Sequence, residues 1–378
     1  MTSTVGILGG GQLARMMALA GAPLGLRFRV VDTMPDACAS QVAPLQRADY
    51  TDLDELARFA GTVDVVTFDF ENVPANTAHF LSGRVPVFPN ARALGIAQDR
   101  LEEKQLFQRL GMGTPAFQTV DSRDDLNRAI AAVGASAILK TRRLGYDGKG
   151  QFRLRTAGDA DAAWSALGGV PLILEAFVPF EREVSVIAVR GRKGEFATYP
   201  LTQNWHQNSI LSASLSPAPH AAAVEAEARA FARKLAEDLN YVGVFAMELF
   251  VHEGRLLANE MAPRVHNSGH WTIEGAVISQ FENHLRAVVG LPLGSTEGRH
   301  TSAMLNWVGE LPEANAVLRE SLGHWHDYGK TARSGRKVGH ATVNGEAAEV
   351  RATLERLAVA LHRPAQFEPV IAALRSTS

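Results

Sequence analysis

Strand-length apolar runs alternate with amphipathic stretches along most of this chain. Residues 4–8, 28–32, 63–68 and 85–88 are short and almost wholly apolar, the pattern of strands buried on both faces. Residues 12–18, between the first two, read as a helix. Strands alternating with helices predict a parallel sheet with crossovers, ending near residue 98. Asp99 then reads as a helix N-cap, with Glu102 completing a capping box and Gly111 as the stop. Residues 135–140, 172–175 and 182–189 predict further strands. Residues 221–239 predict an amphipathic helix with Val224, Ala228, Phe231, Leu235 and Leu239 on one face. A helix over 279–289 stops at Gly290; strands at 301–307 and 337–343 and a final helix at 347–361 close the pattern. The alternation thus marks a first domain to about residue 98.

The most informative segment is a predicted hairpin. Two apolar arms, 247–251 and 256–260, flank Glu253-Gly254-Arg255, which reads as a three-residue turn. Symmetry about Gly254 sets Val251 against Leu257, Phe250 against Ala258 and Glu248 against Glu260. Directly paired residues share a face roughly 5 Å apart, so the two carboxylates repel. A divalent cation between them removes the penalty, and Asn259 adds an uncharged oxygen. Few protein oxygens and a shell completed by substrate phosphates suit Mg²⁺. The plainer alternative is a solvated edge hairpin with two incidental acids, which the apolar arms disfavour.

Composition narrows the class. The chain has 378 residues, long enough for two or three domains, with 46% hydrophobic residues. Lys and Arg total 38 against 40 Asp and Glu, so no basic excess draws nucleic acid or an anionic membrane. The one cysteine, Cys38, forms no internal disulfide, and no apolar run approaches ~20 residues. A cytoplasmic enzyme without a membrane span is expected.

Other motifs point to phosphate. Gly9-x-Gly11-x-x-Ala14 follows a strand and opens a helix, with Asp32 ending the next strand, as in a dinucleotide fingerprint. Its backbone N–H groups would hold phosphate; a tight turn that simply needs glycine is the alternative. Lys140 ends an apolar strand, a costly place for a lysine unless an anion meets it. Gly145 to Gln151 holds three glycines and Lys149, able to drape over a triphosphate. Glu175 and Glu183 flank the apolar linker Ala176-Phe177-Val178, which suits a nucleoside. Arg264, His266, Asn267 and Ser268 gather donors for a small oxyanion. Lys330, Arg333, Arg336 and Lys337 fit one phosphate monoester, or a solvated basic turn.

Taken in order, GGGQLARM (9–16), DFEN (69–72), QDR (98–100), GYDGKGQ (145–151), EAFVPFEREVS (175–185), VGVFAMELF (242–250), NEMAPRVHNSGHWT (259–272) and YGKTARSGRKVGH (328–340) resemble the 5-(carboxyamino)imidazole ribonucleotide synthase family of ATP-grasp ligases. The likeness runs nearly end to end. It departs at Val265, where the family usually has proline, and at Gln207-Asn208-Ser209, where a glycine often precedes the isoleucine. The resemblance implies a mixed α/β and α+β fold in three parts: a Rossmann-like N-terminal domain (1–98), a two-lobed ATP-grasp centre (99–298) and a small C-terminal domain (299–378). It implies that ATP phosphorylates bicarbonate to carboxyphosphate, whose CO₂ is captured by the amine of 5-aminoimidazole ribonucleotide, in a homodimer.

The same resemblance assigns residues. Glu248 and Glu260 hold Mg²⁺. Arg100, Lys140, the loop Gly145, Tyr146, Asp147, Gly148, Lys149, Gly150 and Gln151, the segment Glu175, Ala176, Phe177 and Val178, and Glu183, His206, Asn259 and Glu260 surround ATP. Arg264, His266, Asn267 and Ser268 take bicarbonate, and Asp147 takes the amine proton. Gly10, Gly11, Gln12, Glu71, Asp147, Lys330, Arg336 and Lys337 hold the ribonucleotide, so the glycine turn serves substrate rather than NAD. Three rivals remain: an NAD-dependent dehydrogenase, which leaves the acidic hairpin unexplained; a formate-using or carboxylate–amine ATP-grasp relative; and a non-catalytic scaffold.

Overall fold

The computed structural model describes residues 3–145 and 148–376. The predicted parallel sheet is present. Its strands lie in the order Leu45–Arg47, Arg27–Asp32, Thr4–Leu8, Val65–Phe68, and all are parallel. Residues 85–88 add a bridge between Val87 and Val66 rather than a full strand. Helix Gln12–Gly21 presents Leu13, Met16 and Met17 to a core shared with Phe281 and Leu285 of helix Gln280–Val289.

A second, antiparallel sheet runs Phe117–Val120, Leu172–Ala176, Ala137–Thr141, Gln151–Leu154. Helices Arg123–Val133 and Ala160–Leu167 cover it with Leu126, Ala129, Ile130 and Ala163.

The largest sheet has nine strands among the described residues. It opens at the edge with the predicted hairpin, Arg255–Ala262 and Gly243–His252, then Arg182–Arg190, Thr202–Gln207 and Ile210–Ser216. Ile210–Ser216 pairs with Thr301–Val308, which pairs with Lys337–Gly345 and so on to Gly323–Asp327. The boundary drawn at 298 therefore divides the chain without dividing the sheet. A further helix, Pro364–Arg375, follows the one expected to be last; its Pro364 and Pro369 hide it from periodicity.

Period-two alternation makes this sheet asymmetric. Val184, Val186, Met247, Leu249 and Val251 face helix Ala222–Asp238 through Val224, Ala228, Phe231 and Leu235. On the other face Val189 and Ile187 give way to Ser185 and Glu183 along one strand, and Val244 and Ala246 to Glu248 along its neighbour. The apolar half of that face receives helix Gln280–Val289, which in turn carries helix Gln12–Gly21 of the N-terminal domain. The polar half is left for chemistry. Among the described residues no helix is long and apolar enough to cross a membrane.

His284 ties the two regions together. Val244 N donates to its Nδ1 at 3.0 Å, so the ring proton sits on Nε2, which donates to Thr67 Oγ1 at 2.7 Å. Burial pushes this imidazole down to about 4. The unfolded chain takes up the proton near the ordinary value of about 6.5, the folded chain only near 4. The neutral ring's contribution is thus complete above about pH 6.5 and falls away as pH drops toward 4, by on the order of 3 kcal/mol. Urea unfolding at about pH 7.5 and about pH 4.5 tests this. The wild type should lose more stability between the two than His284→Gln; equal losses would contradict the bridge.

Candidate active site

The acidic hairpin pairs as expected, by an unexpected route. Its turn has two residues, Glu253 and Gly254, both with positive φ (51° and 70°), the type I′ geometry that matches strand twist. The tighter turn sets Val251 against Leu256 and Phe250 against Leu257, one residue off the symmetric register. A β-bulge after Leu249–Ala258 then leaves Asn259 unpaired and restores Glu248 opposite Glu260. Without the bulge Asn259 would face Glu248.

Glu248 is buried, and burial followed by Glu260 and Glu183 pushes its carboxyl well above the usual range. Glu183 is pushed up to about 8 by burial and by Glu260. Burial would raise Glu260 too, but Arg100 and Lys140 outweigh it and hold this carboxyl low. Arg100 reaches Glu260 at 3.0 Å and donates to Gly145 O at 3.2 Å. Three carboxylates thus converge, with cations along one side.

A chain of hydrogen bonds underlies the pair. Ser214 donates to Asn204 Oδ1 (2.8 Å), Asn204 Nδ2 to Ser185 Oγ (3.1 Å), and Ser185 to Ser268 Oγ (2.7 Å). Ser268 Oγ meets His266 Nδ1 at 2.9 Å, and His266 Nε2 lies 3.4 Å from Glu248. Ser268 N also points at Nδ1, so the imidazole proton sits on Nε2, toward Glu248. Asn267 turns the other way: its amide pairs reciprocally with that of Asn306 at 3.0 and 2.6 Å. Of the four predicted oxyanion residues, Ser268 and Asn267 are therefore buried and already bonded. Arg264 is held by Glu71 of the N-terminal domain.

Lys140 meets an anion, as its position demanded, and that anion is Glu175 at 2.9 Å. Lys104 approaches the same oxygen at 3.3 Å. Burial opposes the charge on Glu175, but Lys104 and Lys140 overcome it and pull the carboxyl down to about 2. Ala176 N and Phe177 N are engaged by Ala116 O and Ser136 O, and Phe177 lies under the Arg153 guanidinium. Buried Val178 follows, and Phe180 beyond it stacks on Phe250 at 4.5 Å. His206 Nδ1 lies 3.3 Å from Glu183.

Gly145, Gly148, Lys149, Gly150 and Gln151 lie between the two lobes. Thr141 N donates to Gly150 O at 2.8 Å, and Gln151 reaches Ser209 at 3.5 Å. Ser209 and Asn208 sit at positive φ, in the turn where the sequence departs from the pattern it resembles. Tyr146 and Asp147 lie outside the described residues.

The dinucleotide fingerprint is corrected. Gly10 N donates to Asp32 at 2.6 Å, while Gly11 N and Ala14 N donate to Asp69 at 2.9 and 2.6 Å. Two internal carboxylates occupy the donors that a pyrophosphate would take. Glycine is needed at 11 because a Cβ would stand 2.3 Å from Asp69 Oδ2. Gln12, the next residue, receives Lys330 from the C-terminal region. Arg336 donates to Thr331 O at 3.2 Å, and Lys337 opens the strand Lys337–Gly345 with its charge felt at Glu248 and His266.

Sequence reading missed Lys104, Glu103, Ser185, Asn204, Asn306 and Asp69. Glu103 and Lys104 had one available signal: with Arg100 they form an i, i+3, i+4 face on a predicted helix.

Comparisons agree along the chain. The ribonucleotide synthetase preATP-grasp domain model matches residues 1–98, the ATP-grasp domain model 105–281, and the phosphoribosylaminoimidazole carboxylase C-terminal domain model 302–353. The N5-carboxyaminoimidazole ribonucleotide synthase of Pseudomonas aeruginosa is 54% identical over 339 residues, covering 90% of this chain and 94% of its own. The crystal structure of N5-carboxyaminoimidazole ribonucleotide synthetase from Thermus thermophilus is similar at a TM-score of 0.90 and 54% identity, covering 94% of this chain and 97% of that one. The Aspergillus clavatus synthase, in complex with ADP and 5-aminoimidazole ribonucleotide, gives a TM-score of 0.89 at 30% identity, covering 96% and 99%.

Glu175→Gln should destabilise the protein by on the order of 3 kcal/mol in denaturant titration, since Lys104 and Lys140 are left buried without an anion. Unchanged stability would mean that the lysines do not depend on it.

Proposed function

The chain belongs to the N5-carboxyaminoimidazole ribonucleotide synthase family, and we propose how its own residues carry that family's reaction. The protein is an ATP-grasp ligase that carboxylates 5-aminoimidazole ribonucleotide with ATP in purine biosynthesis. Bicarbonate is the carboxyl source in this reading. A bicarbonate oxygen attacks the γ-phosphorus and ADP leaves; the C–O bond of carboxyphosphate breaks to CO₂ and phosphate. The exocyclic amine then attacks CO₂ and loses a proton. Asp147, outside the described residues, is the candidate acceptor of that proton.

The observation that carries the reading is the Glu248–Glu260 pair, two carboxylates forced onto one face with Glu248 buried. This donor set fits Mg²⁺: few protein oxygens and a surplus of negative charge, with Arg100 and Lys140 close by for phosphate. When bound, Mg²⁺ would neutralise the β- and γ-phosphates.

Lys140, Arg100 and Lys149 supply the cations that hold the phosphates. Lys140 is already desolvated and paired with Glu175, so it needs little reorganisation to meet a phosphate oxygen. Gly148, Lys149 and Gly150, beside the site, would help keep water from the labile intermediate. Glu183, with His206 beside it, faces the ribose, and residues 175–178 with the Phe180–Phe250 stack take adenine. Arg264, oriented by Glu71, and His266 stabilise charge on the transferring group; Asn267 and Ser268 hold His266 and its loop in place. Gly10, Gly11, Gln12, Glu71, Lys330, Arg336 and Lys337 embrace the ribonucleotide, its 5′-phosphate meeting the basic turn. The resemblance further supports a cytoplasmic homodimer.

ADP release with Mg-ATP and bicarbonate, with and without 5-aminoimidazole ribonucleotide, tests the assignment. The ribonucleotide should stimulate release in the wild type, and Glu260→Ala should abolish the stimulation. Release that ignores the ribonucleotide but responds to formate would favour the formate-using relative.

A further inference from the structure

Strand Arg255–Ala262 is the outer edge of the largest sheet, so half of its backbone groups point away from the ladder. Those around the bulge do not face water. Ala258 N donates to Gly113 O at 2.7 Å. Asn259 O accepts from Lys104 Nζ at 3.1 Å, and Met261 N donates to Glu103 Oε1 at 2.6 Å. Between them, the Glu260 side chain meets Arg100.

Arg100, Glu103 and Lys104 are spaced i, i+3, i+4, so one face of helix Arg100–Arg109 reads three consecutive strand residues, 260, 261 and 259. Glu103 and Lys104 are only 2% and 1% exposed. Burying two ionisable side chains is costly, and covering an edge does not require it, since loops and apolar helices do so without charge. What these two hold is specific. Glu103 and Lys104 bond the strand on either side of Glu260, where the extra residue of the bulge is accommodated. A one-residue slip would set Asn259 against Glu248 and turn Glu260 toward the apolar face, beside Met247.

We propose that Glu103 and Lys104 are positioning residues that lock the Asn259 bulge and thereby hold Glu248 and Glu260 in the geometry a nucleotide-bound divalent cation requires. The proposal rests on the reading of that pair as cation ligands. It adds that the geometry is imposed from the far side of the strand, by side chains that touch neither cation nor nucleotide. Lys104 does so while approaching Glu175 at 3.3 Å, so one buried ammonium links the acidic hairpin to the Lys140 phosphate wall.

The test measures Mn²⁺ affinity of the enzyme–ADP complex by electron paramagnetic resonance, with ADP affinity in EDTA beside it. Lys104→Met and Glu103→Leu should weaken Mn²⁺ by about tenfold or more while ADP alone binds nearly as in the wild type. Glu103→Gln keeps an acceptor oxygen for Met261 N and should restore wild-type affinity. Folded Lys104→Met and Glu103→Leu proteins with unaltered Mn²⁺ affinity would overturn the proposal, as would equal losses with and without the cation. Glu260→Ala separates the two readings. Wild-type Mn²⁺ binding in that variant sinks the cation assignment itself. Loss there with retention in the other two sinks only the clamp. If the clamp variants do not fold, the wild type decides. The outward Met261 amide should exchange with deuterium as slowly as the ladder amides of its hairpin, and rapid exchange in the folded enzyme would overturn the proposal.

Discussion

Two glutamates that repel each other are held face to face across a β-ladder, and much of this molecule is arranged around that constraint. Neither could be kept there by pairing alone, because like charges directly opposed destabilise a sheet. The Asn259 bulge sets the register, and Arg100 keeps Glu260 ionised. The bonded chain from Ser214 to His266 supports Glu248 from the sheet side. In the proposed reading, the frustration that remains is what a cation and its phosphates would relieve.

The surroundings of the acidic pair are assembled from distant parts of the chain. Glu71 reaches Arg264, Gln12 meets Lys330, and His284 joins Thr67 to the strand that carries Glu248. The three contacts join the N-terminal glycine turn to the basic C-terminal turn, and the N-terminal domain to the strand and loop of the acidic hairpin. Asp69 has a related role, since it satisfies the N–H groups of Gly11 and Ala14, two donors of the glycine turn. The turn keeps the shape of a dinucleotide site and loses its chemistry.

Local features were legible in the sequence where one physical rule dominated. Apolar runs marked the strands, Gly290 stopped helix Gln280–Val289, and an apolar lysine position required an anion near Lys140. The Glu248–Glu260 pairing was reached through two offsetting misjudgements, a turn one residue too long and an unseen bulge. Neither leaves a sequence signal, because Glu253 is not a residue expected at positive φ and Asn259 looks like any ladder position. Strands Thr202–Gln207 and Ile210–Ser216 were also missed: their polar residues face the cleft and break the apolar pattern. Beyond a helix face shared with Arg100, Lys104 and Glu103 carry no distinguishing local pattern, and their role emerges only with the strand they bond beside them.

If the acidic pair is strained until a cation arrives, removing one charge should stabilise the protein when no cation is present. Burial and Glu260 raise the Glu248 carboxyl, so the pair's cost grows as pH rises above the ordinary carboxylate range. The decisive measurement is the unfolding free energy of Glu248→Gln against wild type at about pH 8, in EDTA and then with saturating Mg-ADP. The account predicts that the variant is the more stable protein in EDTA and the less stable with Mg-ADP. A variant less stable than wild type in EDTA would contradict it.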